Sequence, residues 1–372
     1  MPERDTPPTE PPSAHETAEL RIRPAARPPR PTAHRPRTIA DYTLLDELGR
    51  GGMARVFRAT HEPSGRQVAL KVLHNQGPPS IEARLRFQRE INAALRLQHP
   101  NIVRTLEGGI DGEELFLAME IVHGESLKAR LERGPLQPRA AVQLAETLAR
   151  ALAFAHRSGV VHRDVKPANV LLDEEGQPQL VDFGLAKPVQ RGNDLTATGL
   201  VVGTPAYMSP EQAGGHSNVG PLADVYALGA TLYEMLTGEP PFPGERQLEI
   251  LVNILHTEPK PPSAVRPSLG QDLDAVVLTA LAKDPSDRYP SCESFAADLR
   301  RYLEEHPVVA TQPCRTARVE RSIRLDSGLF VSDPSSFLGA TTQPTWTTPR
   351  PCSPTSPTSC ARSRSRSWTT GT

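Results

Sequence analysis

The sequence predicts an α+β chain of two lobes, a small β-rich lobe over 41–120 and a larger, mostly helical lobe over 121–305. Three observations carry that expectation. Short apolar runs separated by glycine- and proline-containing turns fill 42–120. From Ser126 onward the apolar spacing becomes helical. The two ends, 1–40 and 306–372, show neither pattern and read as disordered segments.

In chain order, YTLLDEL, the turn RGGM and ARVFRAT give strand, glycine turn, strand. QVALKVL reads as a buried strand with the charged Lys71 inside it. A charged helix runs from about Ser80 to Leu97, and HPN breaks it. IVRTLEGG and ELFLAME complete five strands and one helix. In the second lobe, Val142, Ala145, Leu148, Leu152 and Ala155 repeat at helical spacing, with Gly159 as the stop. VV, NVLL and PQLVDF are short strands. Residues 184–221 are rich in Gly, Thr and Pro, and so long a loop is either functional or disordered. Helical patterns resume at ADVYALGATLYEMLTG, ERQLEILVNIL, LDAVVLTALA and CESFAADLRRYLEE. A cleft between lobes is a usual place for a small-molecule site.

The formal net charge of −1 conceals an uneven distribution. Residues 1–40 balance at +2 and 307–372 at +5, so the body between them carries −8. An acidic body is a poor candidate for sequence-independent nucleic-acid binding. Ten of the 39 prolines fall in the first 40 residues, and 14 of the last 29 residues are Ser or Thr. Of the four cysteines only Cys292 lies in the body, with no CxxC pair, which fits a reducing, cytoplasmic setting without structural zinc or disulfides. No signal-type apolar run and no window of about 18 uncharged apolar residues appears, so no spanning helix is expected.

Four strings carry chemistry. LGRGGMARV holds Gly49, Gly51 and Gly52 between two strands, where backbone can approach phosphate oxygens; alone it is a weak signal and reads better as an ordinary hairpin turn. VALKV places Lys71 in an apolar strand, with Glu90 nineteen residues on as a candidate partner; alone it fits a strand-edge lysine with its head in solvent. VVHRDVKPANVLL packs His162, Arg163, Asp164, Lys166 and Asn169 into eight residues between apolar pairs. VDFG puts Asp182 thirteen residues after Asn169, two oxygen donors suited to a hard cation such as Mg²⁺.

In this order, and followed by GTPAYMSPEQ, ADVYALG and DPSDRYPS, these strings resemble the protein kinase signature set over about 41–305. GGM and SPEQ look like the bacterial eukaryotic-like Ser/Thr kinases, and Lys166 at the second place after Asp164 is similar to Ser/Thr-directed enzymes. The resemblance implies a bilobal protein-kinase fold, a small N-lobe and a larger C-lobe, and transfer of the ATP γ-phosphoryl to protein hydroxyls with Mg²⁺ or Mn²⁺. It implies that Gly49, Arg50, Gly51, Gly52, Met53 and Ala54 cover the phosphates. Lys71 would hold them and pair with Glu90. Val56, Ala69 and Leu171 would sandwich adenine, with Met119 as gatekeeper and Glu120 and Val122 as hinge backbone. Asp164 would orient the acceptor hydroxyl, Lys166 would meet the phosphoryl group, and Asn169 and Asp182 would hold the metal. Arg163 would receive a phosphate on the activation loop, with Thr196 and Thr198 as autophosphorylation sites and Thr204 supporting the acceptor pocket. Glu211 would pair with Arg288, Asp224 would brace the catalytic loop, and Gly229 would allow close helix packing. Ala54 replaces the usual third glycine and Ser209 the usual alanine of APE, both by small residues. Protein substrates are expected, and the resemblance permits a homodimer through the N-lobe. The rival expectations are a kinase-fold docking scaffold, which the intact catalytic set opposes, and a small-molecule kinase, which the long GTPAYMSPE segment opposes.

Overall fold

The computed structural model describes residues 37–51, 54–73, 80–183, 205–216, 218–244 and 246–310. Its small lobe is one antiparallel sheet. The strands are β1 (Thr38–Ile39), β2 (Tyr42–Arg50), β3 (Ala54–His61), β4 (Arg66–Leu73), β5 (Thr105–Asp111) and β6 (Glu114–Met119), in the order β1-β2-β3-β4-β6-β5. The five expected strands are present. The sheet also takes in Thr38–Ile39, from the stretch whose proline-rich composition placed it outside the fold. Ile39 is fully buried against Tyr42 and Leu44, a local fact that composition averaged over forty residues conceals.

Strand alternation divides the apolar residues of this sheet between its two faces. On β4, Val68, Leu70 and Val72 join Phe57, Phe116 and Ala118 on one side. Ala69 belongs to the cluster on the other side, with Leu115, Leu117 and Met119. Helix α1 (Ile81–Ala94) packs Phe87, Ile91 and Ala94 into that second cluster, a spacing of one helix face. Ser80 caps the helix by accepting the Ala83 N–H. Lys71 alternates with Val72 and so lies on the α1 side of the strand, between Leu70 and Val72 of the opposite face.

The large lobe begins with β7 (Gly124–Ser126), α2 (Leu127–Leu131) and α3 (Pro138–Arg157). Strands β8 (Val170–Asp173) and β9 (Pro178–Leu180) complete a three-stranded sheet in the order β7-β8-β9. The helices α4 (Pro210–Ala213), α5 (Leu222–Thr237), α6 (Gln247–His256), α7 (Pro262–Val265), α8 (Gln271–Ala280) and α9 (Cys292–Leu303) follow. Helix α5 is apolar on nearly all sides and buried from Ala223 to Tyr233, as a central helix must be. A Cβ at Gly229 would lie 2.7 Å from the Ala280 Cβ, so only glycine lets α5 and α8 approach this closely.

The chain stays packed past residue 305. The buried Asp298 carboxylate accepts the Tyr289 hydroxyl and the N–H groups of Val309 and Ala310, and Val308 and Ala310 rest on the core. Backbone bonds from Val103 N–H to Leu180 O and from Leu180 N–H to Asn101 O join the segment after α1 to β9, stitching the two lobes together.

Candidate active site

The site is assembled from β2–β4 and β6 above and from the loop 160–169 and the residues after β9 below. In the β3–β4 ladder Val56 stands opposite Lys71, and in β4–β6 Ala69 stands opposite Met119. Val56, Ala69, Met119 and Val122 share one apolar cluster with Val181. Leu171 sits on β8, opposite Ser126 of β7. The Glu120 N–H is taken by Arg104 O, and its side chain pairs with Arg66. Gly49 lies opposite Val56, and the Gly51 N–H donates to Ala54 O at 2.8 Å, which closes the turn on the described side. Arg50 and Arg55 both bind the Glu47 carboxylate, and those bonds hold it well down to about 2. A Cβ at Gly49 would meet nothing within 4 Å, and one at Gly51 only Ala54 O at 3.7 Å. Among the described residues, packing requires neither glycine; the open side is the space a phosphate would need.

Lys71 does not pair with Glu90 in this structure. Its Nζ lies 2.7 Å from Asp182 Oδ1, across the two lobes. Asp182 has φ 66°, a left-handed conformation rare for a non-glycine residue, which turns it out of the extended path of β9. Glu90 is half-buried on α1; burial raises its pKa, and the fields of Arg86 and Arg163 oppose that rise. The expected pair is therefore replaced by an ion pair to the nearer carboxylate.

The loop below is held on all sides. Asp164 Oδ2 accepts Lys166 Nζ at 2.9 Å and Asn169 Nδ2 at 3.0 Å, and Asn169 Nδ2 also donates to Asp164 O at 2.8 Å. This uses the NH₂ end of the Asn169 amide. His162 is fully buried and donates from Nε2 to Val181 O at 2.9 Å, while its Nδ1 accepts the Asp164 N–H at 3.3 Å. Burial pushes the His162 imidazole below its usual range, against the pull of Asp224, Asp164 and Asp182, in keeping with a neutral ring. Phe183 packs on that ring at 4.5 Å between centroids. Asp224, at the start of α5, is fully buried; it accepts the His162 N–H at 2.8 Å, the Arg163 N–H at 2.7 Å and His156 Nε2 at 2.8 Å.

Arg288 is buried with all five donors used. It grips Glu211 at 2.9 and 2.7 Å and also donates to the carbonyls of Ala282, Leu222 and Lys283. Burial would raise the Glu211 carboxyl, but the bonds and charge of Arg288 outweigh it and hold it low. Gly52, Met53, Thr196, Thr198 and Thr204 lie outside the described residues. The motifs assigned no role to His156, four residues before VVHRDVKPANVLL, or to Gln212, the last residue of GTPAYMSPEQ.

Residues 42–299 match the protein kinase domain family. The chain belongs to that family. It is 41% identical over 286 residues to the serine/threonine-protein kinase PknB of Mycobacterium tuberculosis, covering 74% of this chain and 46% of that protein. It is 41% identical over 278 residues to the probable serine/threonine-protein kinase SCO3848 of Streptomyces coelicolor, covering 73% and 41%. The chain thus spans less than half the length of these curated relatives. Among solved structures, the PknI kinase domain of Mycobacterium tuberculosis aligns with a TM-score of 0.57 at 33% identity, covering 71% of this chain and 97% of that one. The matched domain family uses ATP and a divalent metal. Among the described residues no helix of this kinase is long and apolar enough to cross a membrane.

Proposed function

We propose that this chain is an active Ser/Thr protein kinase, with Asp164 orienting the acceptor hydroxyl and taking its proton. The observation that carries the reading is the Asp164 carboxylate pinned by Lys166 and Asn169 on a loop that Asp224 braces, with Lys71 and Asp182 facing each other across the cleft. When bound, ATP supplies the phosphoryl group and a divalent cation, Mg²⁺ or Mn²⁺, neutralises charge on it. The donors fit such a cation: the Asn169 carbonyl oxygen and the Asp182 carboxylate are hard oxygen ligands. Lys71 then serves the donor phosphates, and Glu90 is the small-lobe carboxylate available to it once Asp182 is engaged. Lys166 donates to Asp164 Oδ2, so its charge stands beside the transferring group. The open faces of Gly49 and Gly51, with Arg50 and Ala54, cover the phosphates. Val56, Ala69 and Leu171 enclose the base beside Met119, and the backbone of Glu120 and Val122 bonds its edge. Most of the rate enhancement then comes from positioning and charge neutralisation.

Regulation belongs to the same proposal. Thr196 and Thr198 are autophosphorylated, and the added charge engages Arg163, beside the catalytic aspartate. A cytoplasmic setting follows from the need for ATP.

The test is transfer of labelled phosphate from ATP to a Ser/Thr peptide library by the purified chain, with Mg²⁺ and with Mn²⁺. Asp164→Asn and Lys71→Met should each lower turnover by about 10²–10⁴-fold, the scale of a lost general base or charge clamp. Loop peptides carrying Thr196 and Thr198 should be phosphorylated in the wild type and not in Asp164→Asn. Wild-type turnover in Asp164→Asn would overturn the site; no turnover in the wild type would favour the docking scaffold.

A further inference from the structure

Gln212 stands beside the Glu211 that Arg288 grips, yet its own side chain works elsewhere. Both of its ends are engaged. Oε1 accepts the Ser209 N–H at 3.0 Å and the Ser209 hydroxyl at 3.2 Å. Nε2 donates to Arg163 O at 2.8 Å, on the catalytic loop. The first contact is local: Ser209 precedes α4 and Gln212 lies three residues on, the capping-box spacing. Glutamate serves that spacing as well as glutamine does. The second contact spans 49 residues and needs an N–H to give.

Arg163 is where the loop bends, with φ 62° in the left-handed region. A conformation of that kind persists only where its surroundings over-determine it. Here the Arg163 N–H is held by Asp224 Oδ1 and its carbonyl by Gln212. The Arg163 carbonyl and the Asp164 N–H belong to one planar peptide unit. That N–H meets His162 Nδ1. The plane on which Asp164 hangs is therefore gripped at both edges, by His162 on one and by Gln212 on the other.

We infer that Gln212 is a positioning residue for phosphoryl transfer: through the Arg163 carbonyl it sets the peptide plane that aims Asp164. It ties α4, which follows the segment 205–209, directly to the catalytic loop. The inference rests on the reading of Asp164 given above.

Gln212→Glu separates the two contacts. It keeps an oxygen for Ser209 and sets a second oxygen against Arg163 O in place of the donor. The expected result is a melting temperature within about 2 °C of wild type. Turnover falls about tenfold with the KM for ATP within about twofold, the pattern of a lost orienting hydrogen bond. Gln212→Ala loses both contacts, so it shares the fall in turnover and also melts lower. Amide exchange over 162–166, measured on the full chain without nucleotide, quickens in both variants. Unchanged exchange in Gln212→Glu overturns the assignment whatever the turnover, and so does wild-type turnover in that variant. Failure of the kinase reading looks different: the wild type is inactive, or Asp164→Asn is active, while the exchange result stands by itself.

Discussion

Asp224 in the large lobe is fully buried and accepts hydrogen bonds from His156, His162 and Arg163. Glu90 in the small lobe is half-buried and makes no ion pair with Lys71, whose partner is Asp182. The two acids differ in their access to water. A buried carboxylate must satisfy its lone pairs within the protein, so each donor fixes its position. A half-exposed carboxylate has solvent as an alternative partner, and its position is set only weakly. The loop 160–169 is thus held from below by α5, while Lys71 and Glu90 above it are not paired with each other.

The hardest test of this contrast is Asp224→Ala. It leaves the buried His162 N–H and the part-buried Arg163 N–H without their acceptor, at a cost of up to about 1–3 kcal/mol for each. The summed loss should be roughly 3–5 kcal/mol in urea unfolding, together with loss of transfer. A mutant as stable as wild type would show that the loop does not depend on Asp224.

A smaller effect is expected one turn of backbone further along α5. Gly229→Ala forces a methyl group to within 2.7 Å of the Ala280 Cβ and should cost about 1–3 kcal/mol by overpacking. Ala280→Gly in the same chain should recover most of it, a coupling that a double-mutant cycle measures. Strict additivity of the two changes would mean that the helices relax apart instead.

Glu90→Gln should do least to the fold, under about 0.5 kcal/mol near pH 7, since the half-buried Glu90 makes no ion pair with Lys71. Its sign follows from linkage. Burial raises the folded pKa of Glu90 above its unfolded value, so the native state binds that proton more tightly. Its contribution is fully present below about pH 4.3 and is lost as pH rises through the folded pKa. The Gln variant should therefore gain on the wild type as pH rises over that window, in paired thermal melts. A loss as large as that of Asp224→Ala would erase the distinction between the lobes.

Much of the site was legible because it is local in the chain. Asp164, Lys166 and Asn169 fall within six residues, and a tight turn there brings them together whatever surrounds it. The Glu211–Arg288 pair and the role of Gly229 were reached only through family resemblance, and the structure bears both out. The Lys71 partner was not legible. Glu90 and Asp182 are both acids at long sequence separation, and the choice between them depends on the φ of Asp182 and the placement of α1. Gln212 belongs to the SPEQ string, but its contact to Arg163 carried no signal, since an amide at the third helical position is already explained by capping.

By itself, then, the sequence determined the order of strands and helices, the core periodicity and the short catalytic strings, because these depend on neighbours within a few residues. Tertiary structure alone decided which buried acid is satisfied by which donor, how far the fold reaches beyond residues 41 and 305, and that Arg163 is held from α4 as well as α5. Those outcomes depend on desolvation, and a group is desolvated only by chain that comes from elsewhere.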